Sequence, residues 1–337
     1  MEKIREGYIV GVDIGGTWVR VAICTSDLNE ESIIKRSTRT LKENKFSISS
    51  SICNILSELL RENKIDKKGL LAIGIASAGP LNINSGIIIN NAKLGFRSIP
   101  LKEPIENKFS GIPIFIINDG SGAVIGIHYF EADEYEKNNL AYVTMSTGIG
   151  GGVICNSHLL IGKEGNAAEI GHGIVEPKSK VKCECGAYGC WEAYSSGTGV
   201  KLRALEGIHE GILKANKLLE IVENDVSKIT AKEIFQAARR EDQLSCKIVD
   251  DCILYTKIGI GLINNFYDCS SIYFGGAMMN DYDLIIPELI EQFEKDPIKF
   301  TINNPPKIKL TRFTDEIGLR GALAYAKYKL EQNHLVI

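Results

Sequence analysis

The chain reads as an α/β protein of two domains, and three observations carry that reading. Its 337 residues exceed what one hydrophobic core usually organises. Strand-like apolar runs such as YIVGV, LLAIGIA and IPIFII stand among stretches with helical periodicity, such as SISSSICNILSELLREN. A strand, glycine turn, strand unit also occurs twice, in YIVGVDIGGTWVRVAICT from Tyr8 and in NLAYVTMSTGIGGGVICN from Asn139, and the later copy reads as an internal echo of the earlier one.

Composition narrows the function. A net charge of −3 gives no electrostatic case for nucleic acid or an anionic membrane surface. The longest apolar runs fall far short of the roughly 20 residues that span a bilayer. Met1 to Glu6 lead straight into a strand and nothing marks the chain for export, so a cytoplasmic protein is expected. Of nine cysteines, Cys24, Cys53, Cys155, Cys246, Cys252 and Cys269 are scattered and read as reduced thiols.

In the first hairpin Asp13 ends a strand, and Gly15, Gly16 and Thr17 can offer donors to phosphate oxygens where missing Cβ atoms let a ligand approach. The G-K-[ST] ending of a P-loop is absent, and taken alone the motif is equally an ordinary hairpin. A third strand around Ser32 to Arg39 precedes a helix whose Ile48, Ile52, Ile55, Leu59 and Leu60 share one face, which core packing explains. LLAIGIA is a buried strand leading to Gly79 and Pro80, the kind of strand end where an α/β sheet meets its ligand.

IPIFIIND runs an apolar strand into Asn118 and Asp119. A carboxylate there sits at a cleft edge, where partial desolvation raises its basicity and suits it to take a proton. The alternative is Asp119 as N-cap of the helix that follows. In the second hairpin Thr147, Gly148, Gly150 and Gly151 are candidates to grip phosphates, or else form a strained turn.

One His, ten residues, then C-x-C-x4-C places His172, Cys183, Cys185 and Cys190 as the complement of a four-coordinate structural zinc. Gly186 and Gly189 let so short a loop turn back, while the alternative makes the cysteines small core residues. Glu169 and Glu192 flank the loop, which suggests a ligand with many hydroxyls. Beyond Gly199 the chain is mostly helical. Thr230 and Glu233 form a capping box, and Ile248, Cys252, Tyr255, Gly259, Leu262 and Phe266 recur along a long helix. SSIYFGGAMMN reads as a strand and glycine turn, KIKLTRF as the last strand, and the helix in DEIGLRGALAYAKYKL as one that packs back on the first domain.

E-x-G-H (Glu169 to His172) followed by C-x-C-G-x-x-G-C-x-E (Cys183 to Glu192) resembles the signature of the ROK family of sugar kinases and related repressors. The resemblance implies a two-domain actin/hexokinase-like fold, a duplicated ribonuclease H-like architecture. Its first domain would span 1–117, joined by a C-terminal helix at 315–337, and its second 118–314 with a zinc loop at 172–190.

It also implies ATP with Mg²⁺, and a sugar whose 6-hydroxyl is phosphorylated with Asp119 as base. Gly79, Asn118, Asp119, Glu169, His172 and Glu192 would hold the sugar. Asp13 would act on the magnesium side, with Gly15, Gly16 and Thr17 as the first phosphate motif and Thr147, Gly148, Gly150 and Gly151 as the second. Gly275 and Gly276 would lie near the adenosine, and His172 would serve both sugar and zinc. Family members are often dimers or tetramers, so a homo-oligomer is expected.

Many ROK glucokinases carry Pro-Asn-Leu where this chain has Ala92, Lys93 and Leu94. That difference, the Ala167-Ala168 pair, Asn118-Asp119-Gly120 and EAYSSG resemble the animal N-acetylmannosamine kinases and favour that sugar. A glucokinase of broad specificity and a non-catalytic sugar sensor are the alternatives. ROK repressors place a helix-turn-helix ahead of the first hairpin, which this sequence reaches by Tyr8, so DNA binding is not expected.

Overall fold

The computed structural model describes residues 6–41, 43–91, 95–295, 305–314 and 316–334. In chain order the first elements are β1 (Tyr8–Ile14), β2 (Trp18–Thr25), β3 (Glu30–Ser37), α1 (Ser47–Glu62), β4 (Leu70–Ser77), β5 (Leu81–Asn82), β6 (Ile87–Asn91), β7 (Phe96–Pro100), α2 (Lys102–Lys108), β8 (Ile114–Asn118) and α3 (Asp119–Phe130). There follow β9 (Leu140–Met145), β10 (Ile149–Cys155), β11 (His158–Leu159), α4 (Trp191–Ser195), α5 (Gly197–Glu210), α6 (Asn216–Ile221) and α7 (Ala231–Arg239). The chain ends with α8 (Gln243–Tyr267), β12 (Ser271–Gly275), α9 (Tyr282–Lys295), β13 (Lys307–Leu310) and α10 (Ile317–His334).

Packing divides the chain into one unit of Met1–Glu134, Leu159–Ala168 and Asp315–Ile337, and another of Tyr135–His158 and Glu169–Thr314. Where the sequence expects 118–314 to stand together, this packing groups 118–134, which contains helix α3, and Leu159–Ala168 with the first unit. For α3 the reason is its partner. Glycines at 122, 126 and 321 let α3 and α10 touch backbone to backbone, and a Cβ on Gly321 would lie 2.2 Å from the Gly122 carbonyl oxygen.

In the first unit the sheet order is β3-β2-β1-β4-β8, antiparallel across β3-β2-β1 and parallel across β1-β4-β8. Side chains on β1 alternate between two cores, as the two-residue period of a strand requires. Val10, Val12 and Ile14 join Ile52, Leu56 and Leu59 of α1 and Ile105 of α2, whereas Ile9 joins Leu319, Leu323 and Ala326 of α10. Each such side chain removed from water contributes about 1.5–3 kcal/mol. The α10 side is the tighter one: a Cβ on Gly74 would stand 2.0 Å from the Ala322 carbonyl oxygen. A smaller sheet, β5-β6-β7, completes the unit. Ala92, Lys93 and Leu94, which bear on the choice of sugar, lie outside the described residues, as do 315 and 335–337 of the expected terminal helix.

The second unit repeats the plan. Its sheet order is β11-β10-β9-β12-β13, with an antiparallel β10-β9 hairpin followed by parallel β9-β12-β13. The hairpin echo in the sequence thus corresponds to two sheets of like order and direction. Around this sheet Trp191 of α4 is buried against α8, where a Cβ on Gly259 would meet the indole at 2.5 Å. Its Nε1 donates to Thr256 Oγ1 at 3.2 Å. Helix α7 begins with the capping box of Thr230 and Glu233. On α8 the periodic face holds for Ile248, Cys252 and Gly259, but Phe266 is 73% exposed because the pattern continues into a last turn that the core does not cover. Among the described residues no helix is long and apolar enough to cross a membrane.

The α3–α10 contact yields a test. Gly321→Ala is expected to lose about 1–3 kcal/mol, since backbone cannot yield as a side chain can. A lowered urea midpoint checks it, and an unchanged midpoint would contradict so close a crossing.

Candidate functional site

In the first unit the sugar-kinase candidates gather at the carboxyl ends of β1, β4 and β8. Asp13, next to last in β1, is 8% exposed, and Arg20 lies directly opposite it on β2. Arg20 Nη1 donates to Asp13 Oδ2 at 2.7 Å. Burial pushes the Asp13 carboxyl above its ordinary range, the Arg20 hydrogen bond and charge oppose the rise, and the nearby Asp119 charge adds to it. Helix α10 starts against the same group, for a Cβ on Gly318 would sit 2.6 Å from Asp13 Oδ1. Gly15 is different. Its N–H donates to the Trp18 carbonyl at 2.9 Å, and an added Cβ would meet only that oxygen, at 3.5 Å. Among the described residues nothing else crowds that position.

The helix after β8 takes its N-cap from the residue before Asp119. Asn118 is the N-cap of α3, its Oδ1 accepting from the Gly120 N–H at 2.9 Å. Asp119 is the first helical residue, half-buried, and its Oδ1 shares the same N–H at 2.9 Å. Gly79 stands beside this corner, with a Cβ position 3.3 Å from Asn118 Nδ2 and 3.7 Å from Asn166 Oδ1. Asn166 was not singled out by the sequence. Its amide brackets Leu81, accepting from the Leu81 N–H at 3.2 Å and donating to the Leu81 carbonyl at 3.0 Å. It holds the segment after Gly79 much as a neighbouring strand would.

In the second unit the turn between β9 and β10 is closed by the Ser146 N–H on the Gly148 carbonyl at 2.9 Å. Helix α5 begins at this turn, donating the Gly197 and Thr198 N–H groups to the carbonyls of Ser146 and Thr147 at 2.7 and 3.1 Å. Gly148, Gly150 and Gly151 all lie outside the left-handed region, so the turn is not a strained one. Two of the three glycines have packing reasons: a Cβ on Gly151 would lie 2.4 Å from Ile170 Cδ1, and one on Gly148 would lie 2.5 Å from Glu192 Oε2. Gly150 would meet only the Thr144 methyl, at 3.3 Å.

Glu192 Oε2 accepts from the Ile149 N–H at 2.7 Å, and Oε1 lies 3.6 Å from Cys183 Sγ and 4.0 Å from His172 Nδ1. The donor atoms of His172, Cys183, Cys185 and Cys190 all fall within 4.8 Å of one another. Cys185 and Cys190 sulfurs are 3.7 Å apart, and Cys183 Sγ is 3.8 Å from His172 Nδ1. A disulfide would need about 2.05 Å. Two sulfurs each about 2.3 Å from a tetrahedral ion stand about 3.8 Å apart, so the set fits one such ion with no ligand position left open. Gly186 and Gly189 have φ of +94° and +76°, which is what lets the loop close.

Glu169 is exposed at the start of the short turn Ile170–His172. Just before it Ala168 has φ +60°, a left-handed conformation for a residue with a Cβ. At the end of β12, Gly276 has φ +94° and a Cβ position 2.4 Å from the Met145 carbonyl oxygen. Beside Gly275 lies a cavity of about 300 Å³ lined by Phe274, Met279, Tyr282, Leu310 and Thr311.

The fold built on these two mixed sheets is one that known proteins share. The sequence profile of the ROK family matches residues 9–329, and the chain belongs to that family. The glucokinase of Halalkalibacterium halodurans is 32% identical over 293 residues, 86% of each chain. Two solved structures share the fold: a ROK hexokinase from Thermus thermophilus with TM-score 0.79 at 23% identity, covering 96% of this chain and 99% of that one, and a ROK family glucokinase from Streptomyces griseus in complex with glucose and AMPPNP, with TM-score 0.70 at 25% identity, covering 96% and 100%.

Ala168 gives a prediction independent of any assay of activity. Ala168→Gly is expected to stabilise the protein by about 1 kcal/mol, the strain of one left-handed residue with a Cβ. Denaturant unfolding of the two proteins checks this, and a loss of stability would contradict it.

Proposed function

We propose that the protein transfers the γ-phosphoryl group of ATP to the 6-hydroxyl of a hexose, with glucose the first candidate. The observation that carries the reading is the Asp119 corner: a half-buried carboxylate at the end of β8, next to a buried Asp13, with the capping of α3 already supplied by Asn118. Asp119 accepts the proton of the 6-hydroxyl as that oxygen attacks the γ-phosphorus and ADP leaves. Asn118 Nδ2, turned toward Gly79, donates to a sugar hydroxyl while its Oδ1 stays on the helix. Glu169, His172 and Glu192 supply further contacts. With Nδ1 of His172 facing the cysteines, Nε2 is the nitrogen left for the sugar.

Gly15, Gly16 and Thr17 form one phosphate contact, and Thr147, Gly148, Gly150 and Gly151 the other. Support for this comes from Gly15 and Gly150, whose missing side chains little in the chain explains. The cavity beside Gly275 and Gly276 takes the adenosine. Magnesium bound with ATP would supply charge neutralisation on the phosphates, and Asp13 would be the carboxylate on its side. Zinc is the ion that the His172, Cys183, Cys185 and Cys190 set would hold, and its part is to fix the sugar-binding loop.

The names of relatives support glucose. The Ala167-Ala168 pair and Asn118-Asp119-Gly120 support N-acetylmannosamine as a second reading. A panel of sugars read by coupled ADP release decides between them: the faster of the two substrates identifies the sugar, and no ADP release with any hexose would sink the kinase reading. Asp119→Asn is expected to keep sugar binding while turnover falls about 10²-fold to 10⁴-fold. Undiminished turnover would remove Asp119 from its role as the base. For the metal, Cys185→Ser is expected to lower zinc from one ion per chain and to weaken sugar affinity. Elemental analysis finding no zinc in the parent protein would overturn the assignment.

A further inference from the structure

We propose that Glu192 is a positioning residue that ties the second glycine hairpin to the sugar-binding segment, so that each site sets the affinity of the other. The proposal rests on the kinase reading above and goes beyond a sugar contact for Glu192. One carboxylate oxygen, Oε2, is taken by the main-chain N–H of Ile149 at 2.7 Å, the first residue of β10. The other, Oε1, lies among the loop side chains, 3.6 Å from Cys183 Sγ and 4.0 Å from His172 Nδ1. A single side chain, 16% exposed, therefore touches the hairpin with one oxygen and the Cys/His loop with the other.

The hairpin is shaped to receive it. Gly148 leaves the space that Oε2 occupies, since a Cβ there would fall 2.5 Å from that oxygen and 3.3 Å from the carboxylate carbon. The same turn is met from a second direction, with a Cβ on Gly171 lying 2.2 Å from the Ile149 carbonyl oxygen. Ile149 is thus held at its N–H by Glu192 and packed at its C=O by the E-I-G-H segment. A shift of the hairpin on binding phosphate must move the carboxylate, and one that a sugar holds must in turn restrain the hairpin. Such coupling is reciprocal by thermodynamic necessity.

The experiment measures each ligand without the other. Glucose and N-acetylmannosamine are titrated calorimetrically into the zinc-loaded parent, Gly148→Ala and Cys155→Ala with no nucleotide present. Gly148→Ala displaces Oε2 and is expected to weaken binding of the sugar that the parent binds about tenfold, the worth of one hydrogen bond to a charged group. Cys155→Ala, at the far end of β10 from Glu192, is expected to stay within about twofold. In the reverse direction AMPPNP is titrated with no sugar into Glu192→Asp, whose shorter side chain cannot span both groups. Its affinity is expected to fall, whereas a residue that only touches sugar would leave it alone.

Parent-like sugar affinity in folded Gly148→Ala, or parent-like AMPPNP affinity in folded Glu192→Asp, overturns the proposal. Should Gly148→Ala fail to fold, the AMPPNP arm decides. A parent protein that binds neither sugar would count against the kinase reading, and the AMPPNP arm would still decide the coupling.

Discussion

Glycines in the second unit stand where a Cβ would find no room: Gly171 lies on the Ile149 carbonyl, Gly151 accommodates the Ile170 side chain, and Gly148 leaves room for the Glu192 carboxylate. A protein interior is packed as densely as an organic crystal, so a single methyl in such a place must displace something. This constraint explains Gly148 and Gly151 in T-G-I-G-G-G and Gly171 in E-I-G-H. Glu192, His172 and the exposed Glu169 lie on or against these closely packed segments. The cysteine loop adds a third fixed segment, its turns made by Gly186 and Gly189.

The first unit reaches a comparable rigidity by different means. A capped helix start fixes Asn118 and Asp119, and an ion pair across a hairpin fixes Asp13. A buried pair is weak evidence for stability, because desolvation offsets much of the attraction. Its value here is geometric. Arg20 opposes the effect of burial on Asp13, so two carboxylates can stand close together without Asp13 being left as an uncompensated buried charge.

Much of this was legible in the sequence, and for definite reasons. Strand ends and hairpins were readable because apolar runs stop abruptly at Asp, Asn and Gly, and the Cys/His set because thiolates at that spacing suit little besides a metal ion. Where local chemistry allowed two answers, the sequence could not choose: Asn and Asp are both good N-caps, and only coordinates separate Asn118 from Asp119. That α3 packs with the first unit was not legible, for a related cause. A glycine-to-glycine helix crossing such as that of α3 and α10 leaves no pattern in either helix alone. Asn166 escaped notice because a side chain that bonds main chain has no signature of its own. Arg20 was in principle accessible, being the residue opposite Asp13 once the hairpin register is drawn. At Gly148 and Gly151 the sequence could not separate ligand chemistry from internal packing, since a Cβ at either would also meet a side chain of the fold.

Helix α10 covers a sheet whose strands β1 and β4 are made well before it. Until the ribosome has delivered residues 317–334, Ile9, Ala22 and Ala72 lack the helix that buries them. Domains ordinarily fold as they emerge, from the amino end onward. Here the first unit cannot complete its packing until the second has been synthesised, so its folding waits on translation of the whole intervening stretch.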